Sequence, residues 1–216
     1  LTSTNSSIGL IYALKKIFIS CLVFKINKSY HQLMYQDINV ENLKIPEVKI
    51  IRTKVFEDNR GFFFESYNKK KLNKALGLDL DFVQDNHSKS SFGVLRGMHY
   101  QENPYEQGKL VRVIKGEVYD VALDIRKDSK TFGKWVGEYL SFENKKQLWI
   151  PPGFAHGFLV TSDHAEFIYK TTKFYNPEFE RCIKFDDEQI KIDWPKINSE
   201  YIISQKDQLG KKFSEI

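Results

Sequence analysis

Apolar and polar residues alternate along much of the chain with the two-residue period of half-buried strands, in short runs broken by turn residues. Residues 109–114 alternate in this way. So do residues 117–126, where Tyr119, Val121, Leu123 and Ile125 face one way and Gly116 separates the two runs as a turn. Residues 135–140, 147–150, 155–160 and 165–172 give further short strands. Phe132-Gly133, Glu143-Asn144, Pro151-Pro152-Gly153 and Asn176-Pro177 punctuate them. One helix is predicted over 69–78, with Leu72, Ala75 and Leu76 on one face and Gly77 available to end it. Short strands at spacings of about ten residues, with almost no helix, predict an all-β antiparallel sandwich or barrel. A jelly roll of this kind has a concave interior able to hold a ligand. The runs fall in one domain over 34–216, with no internal repeat and no Ser/Gly-rich linker.

Residues 1–33 break this pattern. The stretch from Ile8 to Phe24 is mostly apolar, but it is 17 residues long with Lys15-Lys16 at its centre. A membrane-spanning helix needs roughly 20 apolar residues, and a secretory leader carries its charge before the apolar run. Neither pattern fits. The first Met is Met34, and the expectation is that the native start falls at or near it, with 1–33 a non-native or accessory extension. The alternative is an amphipathic helix packing on the domain.

Composition narrows the function classes. Seventeen Phe, 11 Tyr and 3 Trp in 216 residues argue for a packed core rather than a disordered chain. A net charge of +5 suggests an anionic partner, but residues 1–33 hold four lysines and no acid, which leaves 29 basic against 28 acidic residues beyond them. That near-neutral remainder, with no helix-turn-helix, RRM or basic-helix pattern, argues against nucleic acid. Cys21 and Cys182 stand 161 positions apart, which excludes a disulfide-dense scaffold and a CxxC zinc site and fits a reducing, cytoplasmic location.

Of five histidines, His31 is in the extension, and His87 and His164 lie in polar, turn-like stretches that suggest solvated roles. His99 and His156 differ. The first sits in Arg96-Gly97-Met98-His99-Tyr100-Gln101, the second in Pro151-Pro152-Gly153-Phe154-Ala155-His156-Gly157-Phe158. The second segment resembles the PxGxxH element of the cupin superfamily, which implies a cupin-type jelly-roll β-barrel with a few short peripheral helices. Many cupins bind a metal through an HxH pair, a Glu and a later His. Here Gln101 stands where the second His would be, and neither cysteine has a plausible co-ligand nearby. No catalytic metal and no cofactor are expected, which leaves His99 free to act as a base.

The resemblance becomes more specific over residues 45–207. Seven segments occur in order: Asp58-Asn59-Arg60-Gly61-Phe62-Phe63-Phe64-Glu65, Phe82-Val83-Gln84-Asp85-Asn86-His87-Ser88, Leu95-Arg96-Gly97-Met98-His99, Gln107-Gly108-Lys109-Leu110-Val111-Arg112, residues 150–158, Tyr169-Lys170 and Ser204-Gln205-Lys206-Asp207. Together they resemble the dTDP-4-dehydrorhamnose 3,5-epimerases. That resemblance implies inversion of C3 and C5 of a 4-keto sugar carried on a nucleoside diphosphate, with each proton removed α to the C4 carbonyl. It implies His99 as base, polarised by Asp207, with Lys109 at the enolate oxygen and Tyr169 delivering the new proton. An imidazole ordinarily titrates near ~6.5 and a phenol near ~10, which suits these roles at neutral pH. By the same resemblance His156 contacts the sugar, Arg60 and Arg96 grip the diphosphate, and Tyr175 stacks on the base. Glu65, Gln84, Asp85, Asn86, Glu180 and Lys206 complete the substrate-binding set.

Singly, each residue has a plainer role: an ion pair for Arg60 and Glu65, a core aromatic for Tyr175, a snorkelling lysine for Lys109. Lys130 stands where the family usually has Pro, and Phe185-Asp186 where it usually has Trp-Asn. In a regular strand Arg96 and His99 would point to opposite faces, so Gly97 is expected to mark a bulge or sharp twist. The competing functions are an epimerase acting at one carbon and a non-catalytic cupin that binds nucleotide sugars. The resemblance also implies a homodimer, with residues 48–55 lending an edge to the partner.

Overall fold

In the computed structural model, which describes residues 37–216, nearly all the regular structure is strand. They are β1 (Ile38–Asn42), β2 (Lys49–Thr53), β3 (Phe56–Asp58), β4 (Gly61–Phe63), β5 (Gln84–Ser91), β6 (Val94–Gln101), β7 (Lys109–Lys115), β8 (Glu117–Asp124), β9 (Trp135–Ser141), β10 (Gln147–Ile150), β11 (Phe154–Val160), β12 (His164–Thr171), β13 (Glu180–Cys182) and β14 (Ile202–Ile203). Two short α-helices, α1 (Lys69–Leu76) and α2 (Gln205–Gln208), lie outside them. The expected extension over 1–33, with Cys21 and His31, lies outside the described residues.

One sheet has the order β1-β2-β10-β7-β12-β5 and the second β13-β6-β11-β8-β9, with β14 alongside β6. Val111, Val113 and Phe167 of the first and Val118, Ala122 and Phe158 of the second share one buried cluster, so the sheets pack face to face. The outer face of the second sheet is buried too: Leu95, Val121 and Leu123 lie under Ile190, Trp194 and Phe213 of the C-terminal segment. On the first sheet, Leu110 and Trp149 pack with Leu72 of α1. That helix begins at Asn68, whose side chain accepts from the Lys71 N–H, and stops where Gly77 turns left-handed at φ 68°. It is therefore two residues shorter than the apolar spacing predicts.

The predicted strands are present, and β5 is an addition. Its sequence, QDNHSKSS, contains no apolar residue, so the period rule has nothing to register. Its inward positions are polar because Ser88 borders a cavity rather than the core. β2 is bonded on one side to β1 and on the other to β10. The edge expected from residues 48–55 is thus covered, and β1 is the strand left at the rim.

The bulge expected at Gly97 is present. His156 pairs with His99, but Phe158 pairs with Arg96, so β6 spends three residues where β11 spends two. Gly97 has φ +127°, and a Cβ there would come within 2.5 Å of the Gly157 Cα. Two glycines facing each other let the strands close over the irregularity, and the extra residue turns Arg96 and His99 to the same side.

Candidate active site

Between the sheets lies a cavity of about 250 Å³. Arg96, His99, Lys109, His156, Tyr169, Tyr175 and Glu180 all border it. His99 and His156 come from the second sheet, Lys109 and Tyr169 from the first. A ligand held there has imidazoles on one side and a lysine with a phenol on the other.

Asp207 sits behind His99. The carboxylate lies in α2, where Ser204 caps the helix by accepting from the Asp207 N–H. Its Oδ1 is 2.7 Å from His99 Nε2, and its Oδ2 accepts from the Gly97 N–H at 3.2 Å. Burial pushes the Asp207 carboxyl up, but the bonds from His99, Gly97 and Ser204 outweigh it and hold the group below the usual carboxylate range. An ionised carboxylate only accepts, so Nε2 donates and the other ring nitrogen is left as an acceptor.

Lys109 is buried, and its Nζ reaches the His99 carbonyl at 3.4 Å. Burial lowers its pKa to about 8 against the opposing charges of Asp120 and Glu180. Burial raises the Tyr169 phenol, with the Glu180 charge adding and Arg96 opposing, so that hydroxyl keeps its proton at neutral pH. Burial also lowers the His156 imidazole. Its Nε2 lies 3.0 and 2.9 Å from the two Asp120 oxygens. The Arg96 guanidinium is aimed by its Nε–H, which donates to Ser90 Oγ at 3.0 Å.

The rim is tied together by polar side chains. Tyr175 Oη donates to Glu180 Oε2 at 2.7 Å, and Lys206 Nζ binds the same oxygen. Gln84 Oε1 accepts from the Tyr175 N–H, while its Nε2 donates to Asn86 Oδ1. Gln101, at the second position of a cupin HxH pair, spends its amide on the backbone at Tyr105, Phe174 and Asn176. It clips the loop carrying Tyr175 and holds no free donor for a metal, so this position does not fit the superfamily's metal set.

Three residues of the expected binding set lie elsewhere in the chain's own fold. Asp85 occupies an outward position of β5 and pairs with Lys170 at 2.8 Å. Arg60 sits at the β3–β4 turn, 85% exposed and paired with Asp58. Glu65 pairs with Lys71 at 2.8 Å. The hairpin's aromatics explain its place: Phe62 packs on Phe142, and Phe64 lies under the Arg112 guanidinium. Arg112 alternates with Val111 and Val113 of the inter-sheet core, so it lies on the outer face of the first sheet, away from the cavity.

The sequence reading passes over three residues that the fold brings in. Asp120 is fully buried, on the same strand face as Val118 and Ala122. An acid in an apolar phase of a strand whose other phase is also apolar is the signal that finds it. Ser90 had no such signal. Cys182 corrects the expectation that neither cysteine has a co-ligand: β13 sets it directly opposite His99, and its Sγ is 4.0 Å from Asp207 Oδ1. Burial pushes this thiol up to about 12, with the Asp207 charge adding.

Fold and cavity together define a cupin-type jelly roll whose cavity gathers two imidazoles, a lysine, an arginine and the phenols of Tyr169 and Tyr175. The chain belongs to the dTDP-4-dehydrorhamnose 3,5-epimerase family, whose model matches residues 42–215. It is 60% identical over 176 residues to the dTDP-4-dehydrorhamnose 3,5-epimerase of Shigella flexneri, covering 82% of this chain and 96% of that protein. The Pseudomonas aeruginosa enzyme of the same name is 57% identical over 173 residues, 80% of this chain and 94% of that protein. Among solved structures, the Legionella pneumophila dTDP-6-deoxy-D-glucose-3,5-epimerase in complex with dTDP-4-keto-L-rhamnose superposes with a TM-score of 0.80 at 52% identity. That match covers 83% of this chain and 94% of the other.

Proposed function

We propose that this enzyme inverts C3 and C5 of dTDP-4-dehydro-6-deoxy-D-glucose to give dTDP-4-dehydro-L-rhamnose, without a metal. The His99–Asp207 pair, facing Tyr169 across the cavity, carries the reading. His99 removes the proton α to the C4 ketone, and Asp207 holds its tautomer and stabilises the imidazolium that forms. Lys109, cationic below about pH 8, meets the charge that develops on the C4 oxygen. Tyr169, whose proton is held by burial, returns a proton from the other side. His156, oriented by Asp120, contacts the sugar; Arg96 meets the diphosphate; Tyr175, with Gln84, Asn86, Glu180 and Lys206, borders the nucleoside.

Turnover in deuterated water tests this assignment. Label is expected at both C3 and C5 of the product. Label at one carbon alone would leave a single-site epimerase, and substrate bound with no label would leave a non-catalytic binding protein.

The working unit is proposed to be a homodimer. Arg60 and Glu65 lie on the far side of the first sheet from the cavity, so a substrate contact by either requires a second copy. Phe56 and Phe63, 53% and 69% exposed on the same hairpin, offer it an apolar face. Sedimentation should give twice the chain mass; a monomer at enzymatic concentrations would remove Arg60 and Glu65 from the binding set. No helix among the described residues is long and apolar enough to cross a membrane. The use of an activated sugar supports a cytoplasmic location.

A further inference from the structure

We propose that His99, Cys182 and Asp207 form an inhibitory site for a thiophilic divalent cation of the zinc type, behind the cavity wall that His99 forms. The proposal rests on the reading of His99 as the base and adds a ligand class to the same site. Cys182 and His99 are cross-strand partners, so their side chains leave the sheet on one face. Helix α2 brings the Asp207 carboxylate against both. The three donor atoms lie within 4.8 Å of one another. The imidazole nitrogen and the carboxylate oxygen are 2.7 Å apart, and the sulfur is 4.0 Å from that oxygen.

Zinc bonded to nitrogen, oxygen and sulfur at about 2.0–2.3 Å in a tetrahedron sets donor separations of about 3.3–3.7 Å. The His99–Asp207 pair therefore opens slightly, while the sulfur closes on the carboxylate by a few tenths of an ångström and on the imidazole by up to about 1.2 Å. One nitrogen, one sulfur and one oxygen suit zinc or cadmium and not magnesium or calcium. The fourth position is left for water. On binding, the Cys182 S–H gives its proton to solvent as the sulfur–metal bond forms. The His99 ring proton moves from Nε2 to Nδ1, which frees the Nε2 lone pair for the metal. One proton leaves per ion and no electron is transferred. His99 then has no lone pair left for substrate.

The test uses the full chain with Cys21→Ser, which removes the other thiol. Cadmium titration should develop a thiolate-to-cadmium absorption band that saturates at one ion per chain and vanishes in Cys182→Ser. Cys182→Ala is the second variant, since serine places a hydroxyl beside Asp207; circular dichroism confirms that each folds. Zinc should stop solvent proton exchange in the parent and a chelator should restore it, with at least about tenfold more zinc needed once Cys182 is replaced. No band, or an equal band without Cys182, overturns the site. A full band with proton exchange undiminished overturns inhibition and the assignment of His99 as base, but not the coordination.

Discussion

Replacing His99 with alanine is expected to lower turnover about 10²- to 10⁴-fold, the usual contribution of a positioned acid–base group. Affinity for dTDP should stay close to that of the parent, because the proposed function puts the imidazole at the reacting sugar and leaves the diphosphate to Arg96. Stability should respond as well. The His99 bond is the largest of the interactions holding the Asp207 carboxyl down against burial. A carboxyl whose folded pKa is depressed contributes stability above its unfolded pKa, and that contribution fades as pH falls through the folded value. Without His99, the buried carboxylate keeps the bonds from Gly97 and Ser204 and the long contact with the Cys182 thiol, so the melting temperature should fall at neutral pH. Its remaining contribution should fade at a higher pH than in the parent. Steady-state kinetics, calorimetry with dTDP and melting across pH measure the three effects; proton exchange at the parental rate would remove His99 from the mechanism.

Lys109→Met should separate function from stability. Losing one preorganised donor to a developing oxyanion costs roughly 3–4 kcal/mol, or about 10²–10³ in kcat. The fold should not suffer, because methionine fills a similar volume without a charge to desolvate. Folding moves the Lys109 pKa down to about 8 from 10.5. Between those values the unfolded chain binds more protons, so the parent gains stability as pH rises through that window. Below it, the buried cation is a standing cost that methionine removes. Activity runs the other way. The parent should lose turnover as pH rises past about 8, where Lys109 gives up its proton, and Lys109→Arg should move that alkaline limb upward. A Lys109→Met enzyme with parental kcat would discard the oxyanion role.

The periodic parts of the fold were legible because their alternation records burial: residues 147–150 and 109–114 match β10 and β7 closely. The strand β5 was not, since a strand facing a polar cavity loses the contrast on which alternation depends. The site divides along a similar line. His99, Lys109 and Tyr169 stand out by residue type and order. That Arg96 and His99 share a face depends on a backbone irregularity, and the glycine in the segment pointed to it. Asp120 escaped because strand β8 is buried on both faces, so its polar member looked like an outward position. Arg60 and Glu65 fall in family segments, but no one-dimensional reading tells which copy of the chain a side chain serves.

Asp207 meets two groups at once, the ring of His99 and the N–H of the Gly97 bulge, across 108 and 110 residues of sequence. Its carboxylate follows every strand of both sheets in chain order. Because Gly97 and His99 share that one carboxylate, any shift of α2 away from β6 would uncouple the bulge and the imidazole together.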